Sequence, residues 1–163
     1  MMIYIDGSAK SGSGTILRYA VALSTLLGED LHINNIRAKR DKPGLRPQHL
    51  QVVLACKDMC HGRVEKAEVG SREIVYRPGK HIKGGFYEWE IGTAGSTTML
   101  AMSLLLVGCF ADKPSTFRIS GGLFQDFAPS AYHMQYVLFP TLRKMGISAE
   151  LEVKQPGYVP QGK

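Results

Sequence analysis

Apolar residues recur along this chain with two periods that take turns. Ile3 and Ile5 alternate with polar neighbours between about Met2 and Asp6, which is the pattern of a short strand. From about Thr15 to Leu27 the apolar positions fall three and four apart, the spacing of a helix, and Gly28 supplies its stop. Leu31 to Ile36 reads as the next strand. Pro47 suits the first turn of a helix running to about Cys60, with Leu50, Val53 and Leu54 as its apolar face and Gly62 at its end. Val64 to Val69 and Glu73 to Arg77 flank Gly70-Ser71-Arg72 and predict a hairpin.

The same order then begins again. Tyr87 to Ile91 is a short strand running into small residues, as Ile3 to Ser8 is. Ser96 caps a helix from about Thr97 to Val107, Thr116 to Ser120 is a strand, and a second helix runs from Pro129 to about Met145. Pro140 should bend or split that helix, because it removes a backbone donor and crowds the preceding turn. Ala149 to Val153 alternates like a further strand. Ile5 and Ile91, and also Met59 and Met145, stand 86 residues apart, while the Pro-Gly pairs ending at Gly79 and Gly157 stand 78 apart. Equal spacing with one element order marks a duplicated β-α-β-α-β-β unit. The expectation is an α/β (α+β) chain whose sheets are covered by helices. It forms one domain of two repeats, 1–80 and 81–163, with no linker between them.

Composition adds limits. The 163 residues are 44% hydrophobic and 21% charged, ordinary for a soluble chain with a single core. Met99 to Ala111 is the most apolar run, too short to span a bilayer and interrupted by Ser103 and Gly108, so it reads as a buried helix and no membrane role is expected. Met1 leads straight into a strand, so no secretory leader is expected, and three cysteines fit buried thiols in a reducing cytoplasm. No second Cys or His pair lies at ligand spacing to make a metal site. The net charge of +6 suits an anionic partner.

That charge is concentrated. Five cations fall between Arg37 and Arg46 against the single acid Asp41, and Pro43-Gly44 places them on a connector between a strand and a helix. Such a loop, ending in Arg46-Pro47-Gln48-His49, can neutralise phosphates and present a fork, an amide and an imidazole. A solvated charged loop is the plain alternative. Gly12-Ser13-Gly14 lets backbone N–H groups approach an anion at a helix start, and Gly92 to Ser96 repeats it. A P-loop fails because Ala9 precedes Lys10-Ser11, and a dinucleotide fingerprint fails at Leu17. Of the histidines His32, His49, His61, His81 and His133, only His49 adjoins the basic cluster. Tyr4, Tyr19, Tyr87 and Trp89 could stack a base, but their element positions point to core packing.

Taken together, the motifs resemble the RNA 3'-terminal phosphate cyclase family. The matching residues include Ile5-Asp6-Gly7-Ser8, Ile16-Leu17-Arg18, Ile36-Arg37-Ala38, Lys42 to Leu50, Arg77-Pro78-Gly79, Lys83-Gly84-Gly85, Ile91 to Ser96, Gly121-Gly122 and Gly157-Tyr158-Val159-Pro160, collinear over nearly the whole chain. The resemblance implies ATP and Mg2+ or another divalent metal as cofactors, and an RNA with a 3'-phosphate end as partner. It implies an adenylylated enzyme histidine, transfer of AMP to the RNA 3'-phosphate, and attack by the vicinal 2'-hydroxyl to give a 2',3'-cyclic phosphate. It also implies three units like the C-terminal domain of a translation initiation factor plus an inserted domain, in a cytoplasmic protein.

Residue by residue, the resemblance places Arg18, Arg37, Arg40, Gln48 and His49 at the RNA end, and Ser11, Gly12, Gly14 and Met102 at the nucleotide. The family's nucleophilic histidine, third repeat and inserted domain have no counterpart within residues 1–163, so no catalytic residue is assigned here and the metal ligands are unknown. Two positions depart from the family. The loop Ser11 to Thr15 lacks the family's glutamate and glutamine, and Met102 stands where a glutamine contacts the nucleotide. The rival expectations are a non-catalytic RNA-binding or ribosomal-RNA-processing relative, and a fragment needing its C-terminal half. The latter would self-associate or bind that half as a separate chain, because apolar helices would lack a neighbour.

Overall fold

The computed structural model describes residues 1–158. Strand β1 (Met2–Asp6) leads through a tight loop into helix α1 (Gly14–Leu27), and β2 (Asp30–Asn34) returns parallel to β1. Helix α2 (Pro47–Cys60) follows, then β3 (Arg63–Glu65) and β4 (Ile74–Arg77). The sheet order is β1-β2-β4-β3, with β4 antiparallel to both neighbours. A second, two-stranded sheet pairs β5 (Phe86–Glu90) in parallel with β6 (Thr116–Ser120), and α3 (Thr97–Gly108) is the crossover between them. The mixed α/β class and the first unit's element order agree with the sequence pattern.

The punctuation works where it is local. Gly28 ends α1 with φ of 66°, a left-handed conformation that costs glycine nothing. Pro47 opens α2, but His61 rather than Gly62 takes the left-handed cap, at φ of 53°. Pro140 sits in a broken helix as expected: α4 (Ala131–His133) passes through a π turn, Met134–Leu138, into α5 (Phe139–Arg143). The wide turn lets the Phe139 N–H reach the Met134 carbonyl just before the residue that has no N–H to give.

Five expectations need correction. The first hairpin is shorter than the alternation suggests, because Lys66 turns left-handed (φ 60°) after Glu65. Residues 68–72 instead bond to the basic connector, through Gly70 N–H to the Leu45 carbonyl at 2.7 Å and Leu45 N–H to the Ser71 carbonyl at 2.9 Å. Residues 149–153 form no strand. In the first sheet β3 is held only by β4, and the position 86 residues beyond β4, 160–163, lies outside the described residues, as do Val159 and Pro160 of the last matching motif. On α2 the fully buried residues are Val52, Val53, Ala55, Cys56 and Met59, with Leu50 and Leu54 only half-buried, because α2 packs against both α1 and α3 and needs a wide apolar arc. Tyr4 is exposed, edge-on to His32 on the sheet face that no helix covers, and Cys109 is exposed beyond the end of α3.

The core lies between the first sheet and α1, α2 and α3, and continues to Trp89 and Ile91 of the second sheet. It contains one polar knot. Tyr76 from β4 hydrogen-bonds Thr25 of α1 at 2.8 Å and Cys60 of α2 at 3.2 Å. Thr25 gives its own proton to the Val21 carbonyl, so the tyrosine donates to Thr25 and no hydroxyl is left unmade. Burial pushes the Cys56 thiol up to about 12, which makes it an inert core residue. No helix among the described residues is long and apolar enough to cross a membrane.

Candidate functional site

Three helices begin close together. At α1 the Ser13 hydroxyl accepts from the Thr15 N–H, and Gly12 precedes it in the left-handed region at φ of 55°. At α2 the Arg46 N–H donates to Nδ1 of His49, 3.3 Å away, so a side chain from the first turn closes its own helix start. At α3 the Ser96 N–H donates to Oε1 of Gln48 at 2.7 Å, which ties the second half of the chain to the head of α2. Each terminus contributes a partial positive charge.

The connector between β2 and α2 lies over these starts. Arg37 has φ of 55°, and its Nη1 donates to the carbonyls of Lys42 (2.6 Å) and Gly44 (2.8 Å). Gly44 N–H returns to the Ile36 carbonyl at 2.8 Å and closes the loop. The first loop is clasped to it: Lys39 Nζ donates to the Lys10 carbonyl, and Asn35 donates to Asp6, which also receives the Ser8 N–H and hydroxyl. Those donors hold the Asp6 carboxyl below its usual range.

Within this frame the charges are unbalanced. Arg18, on the first turns of α1, is only 6% exposed, and its Nε has no hydrogen-bond partner among the described residues; one Nη reaches Thr15 at 3.4 Å. Burial lowers its pKa, Tyr19 opposes the shift, and the Arg37 charge adds to it. Arg37 is lowered likewise, by burial and then by Arg46 and Arg40. His49 is 4% exposed and is pushed down to about 3, first by burial and then by Arg18, Arg37 and Arg46. Among the described residues no carboxylate acts on any of these groups. With Nδ1 accepting from the backbone, Nε2 carries the ring proton, so His49 is a neutral donor across the physiological range. Between pH 6.5 and about 3 the unfolded chain takes up a proton that folded His49 refuses, so this group's contribution to stability is present above 6.5 and lost as pH falls.

The structure thus brings together Arg18, Arg37 and His49, with Arg40 exposed on the rim next to Arg37. Gln48 stands beside them but spends its carbonyl oxygen on Ser96. Arg46 is a further member that the residue assignments omitted; its place at the end of the basic run was the available signal. The proposed nucleotide residues lie on the loop before α1, at the start of α1 and on α3. Ser11 is exposed, and Met102 is half-buried in the middle of α3. The close approaches at the two glycines are filled by the chain's own side chains: a Cβ on Gly12 would lie 2.9 Å from Lys39, and one on Gly14 would lie 2.0 Å from Nε2 of His49. Among the described residues no three His, Cys, Asp or Glu side chains gather in one place.

The family model described as RNA 3'-terminal phosphate cyclase matches residues 9–163. The RNA 3'-terminal phosphate cyclase of Pyrococcus furiosus is 45% identical over 161 residues, 99% of this chain and 47% of that protein. That of Archaeoglobus fulgidus is 46% identical over 161 residues, covering 99% and 49%. That of Nitrosospira multiformis is 44% identical over 158 residues, covering 97% and 44%. The chain spans about half the length of the curated relatives it matches.

Proposed function

Because the chain belongs to the RNA 3'-terminal phosphate cyclase family, we propose that its arginine-lined pocket holds the 3'-phosphate of an RNA for ATP-dependent conversion to a 2',3'-cyclic phosphate. The observation that carries this is Arg18: a buried guanidinium with an unmet donor and, among the described residues, no carboxylate acting on it is stable in a fold only at a cost, and an anionic ligand removes that cost. Arg18 and Arg37 neutralise the terminal phosphate, and His49 donates through Nε2–H. His49 acts as neither base nor nucleophile, since Nδ1 is engaged and Nε2 is protonated. Arg40 adds attraction from the rim. In the reaction AMP is joined to the 3'-phosphate, and the neighbouring 2'-oxygen then attacks the phosphorus and displaces AMP. This chain's part is to fix the phosphorus in line with that oxygen.

Two measurements test the reading. Incubation with labelled ATP, magnesium and a 3'-phosphorylated RNA scores AMP on the protein and cyclic phosphate on the RNA. Cyclic product supports catalysis by this chain; binding of the phosphorylated end without any label supports the second reading, a recognition unit without chemistry. That reading is favoured by Ser11 in the first loop and Met102 in α3, where the resemblance calls for an acid and an amide. Separately, the double variant Arg37→Gln/Arg40→Gln is expected to weaken binding of the phosphorylated RNA by about 10- to 100-fold and to flatten its dependence on salt, because two phosphate contacts are lost. Unchanged affinity would remove the connector from the site.

A further inference from the structure

We propose that this pocket discriminates by charge number, holding a terminal phosphate monoester, a dianion, in preference to any phosphodiester, including the cyclic end, which is a monoanion. The inference rests on the reading above and adds the basis of selectivity to it.

Two independent observations carry it. The first is the absence of a counter-charge. Arg18, Arg37 and Arg46 act on His49 from α1, from the connector and from the head of α2, and among the described residues no carboxylate acts on any of His49, Arg18 and Arg37. Arg18 and His49 are both buried, so screening there is weak and each further ligand charge counts. The second is the number of unmet donors. Among the described residues Nε of Arg18 has no partner, and both bonds made by Arg37 leave through Nη1, so its Nε and Nη2 have none either. Nε2–H of His49 makes no hydrogen bond among the described residues. A monoester offers three non-bridging oxygens to these donors, and a diester offers two. The donors are also fixed in place: Arg37 by two carbonyls, His49 by the Arg46 N–H, and Arg18 by burial.

The reaction then changes how tightly the end is held: joining AMP takes one non-bridging oxygen and one charge from the RNA phosphorus, and cyclisation does not restore them. The 2'-oxygen forms its bond to phosphorus as the bond to AMP breaks, and the hydroxyl proton passes to solvent. The end that entered with two charges and three free oxygens leaves with one charge and two. The same pocket therefore captures the substrate and lets the product go.

The test uses the 163-residue protein without ATP at pH 8, where a monoester is fully dianionic. One short fluorescent RNA is prepared with four ends: 3'-phosphate, 2',3'-cyclic phosphate, 3'-methyl phosphodiester and 3'-hydroxyl, and each is titrated by anisotropy. The expected result is that the 3'-phosphate binds at least about tenfold more tightly than either monoanionic end, and that those two, despite different shapes, bind alike. A methyl diester held as tightly as the monoester would mean that shape is read, and would overturn the inference. So would a cyclic end held as tightly as the monoester while both exceed the 3'-hydroxyl, a result that leaves end recognition standing. A 3'-phosphate held no better than a 3'-hydroxyl would overturn both.

Discussion

Replacing Arg18 by methionine is expected to make the protein more stable and its binding of a 3'-phosphorylated RNA much weaker. The two effects have one cause. Arg18 is nine-tenths buried on α1 and lacks a partner for Nε, and the charges it feels from the connector repel it. Methionine has a similar reach, keeps helix propensity and removes both the desolvated charge and the orphan donor. Relief of that strain is worth about 1–3 kcal/mol of folding stability. The same guanidinium is the most deeply set of the phosphate's counter-charges, and its loss is expected to cost about 2–5 kcal/mol of binding, roughly 30-fold or more. Urea unfolding and an RNA titration on the same sample check the pair. A less stable Arg18→Met protein with unchanged RNA affinity would make Arg18 a packing residue and remove the central support for an anion site.

The second large effect falls on Gly44→Ala. Gly44 has φ of +80°, and an added Cβ would lie 2.2 Å from the Gly70 carbonyl oxygen, a backbone atom that cannot swing aside. Its neighbours are where the connector is fastened: the Gly44 carbonyl receives Arg37, the Gly44 N–H meets Ile36, and Leu45 exchanges hydrogen bonds with Gly70 and Ser71. Alanine there pays the left-handed conformational penalty and prises the loop 68–72 away, for a total of about 3–5 kcal/mol. Gly28→Ala is the comparison, since Gly28 is left-handed at φ of +66° with nothing within 4 Å of its added Cβ, and only the conformational part, about 1 kcal/mol, applies. Urea midpoints for the two variants should therefore differ clearly. Equal losses would mean that the connector tolerates separation from residues 68–72, and Arg37 would then not be held in place by it.

Much of the frame was legible because its signals are local. The α1 and α2 spans follow from apolar spacing with Gly28 and Pro47 as punctuation, and the break around Pro140 follows from a missing donor. The failures share one feature. Val64 to Val69 and Ala149 to Val153 both alternate, but a strand exists only where a partner lies alongside; the first was cut short by bonding to the connector, and the second pairs with nothing described. The basic run announced an anion site without saying which cations share it. Arg46 belongs to the cluster through its effect on His49, while Gln48 turns out to hold Ser96.

The sequence by itself determined the element order of the first unit, the family and the residue types that can meet a phosphate, since periodicity, caps and motifs are written within a few neighbours of one another. Only the tertiary structure decided that Arg18 is buried without a counter-ion, that His49 is a neutral donor, and that Arg37 is aimed by two carbonyls. Those are properties of long polar side chains, whose burial and pairing are set by what packs over them from distant parts of the chain.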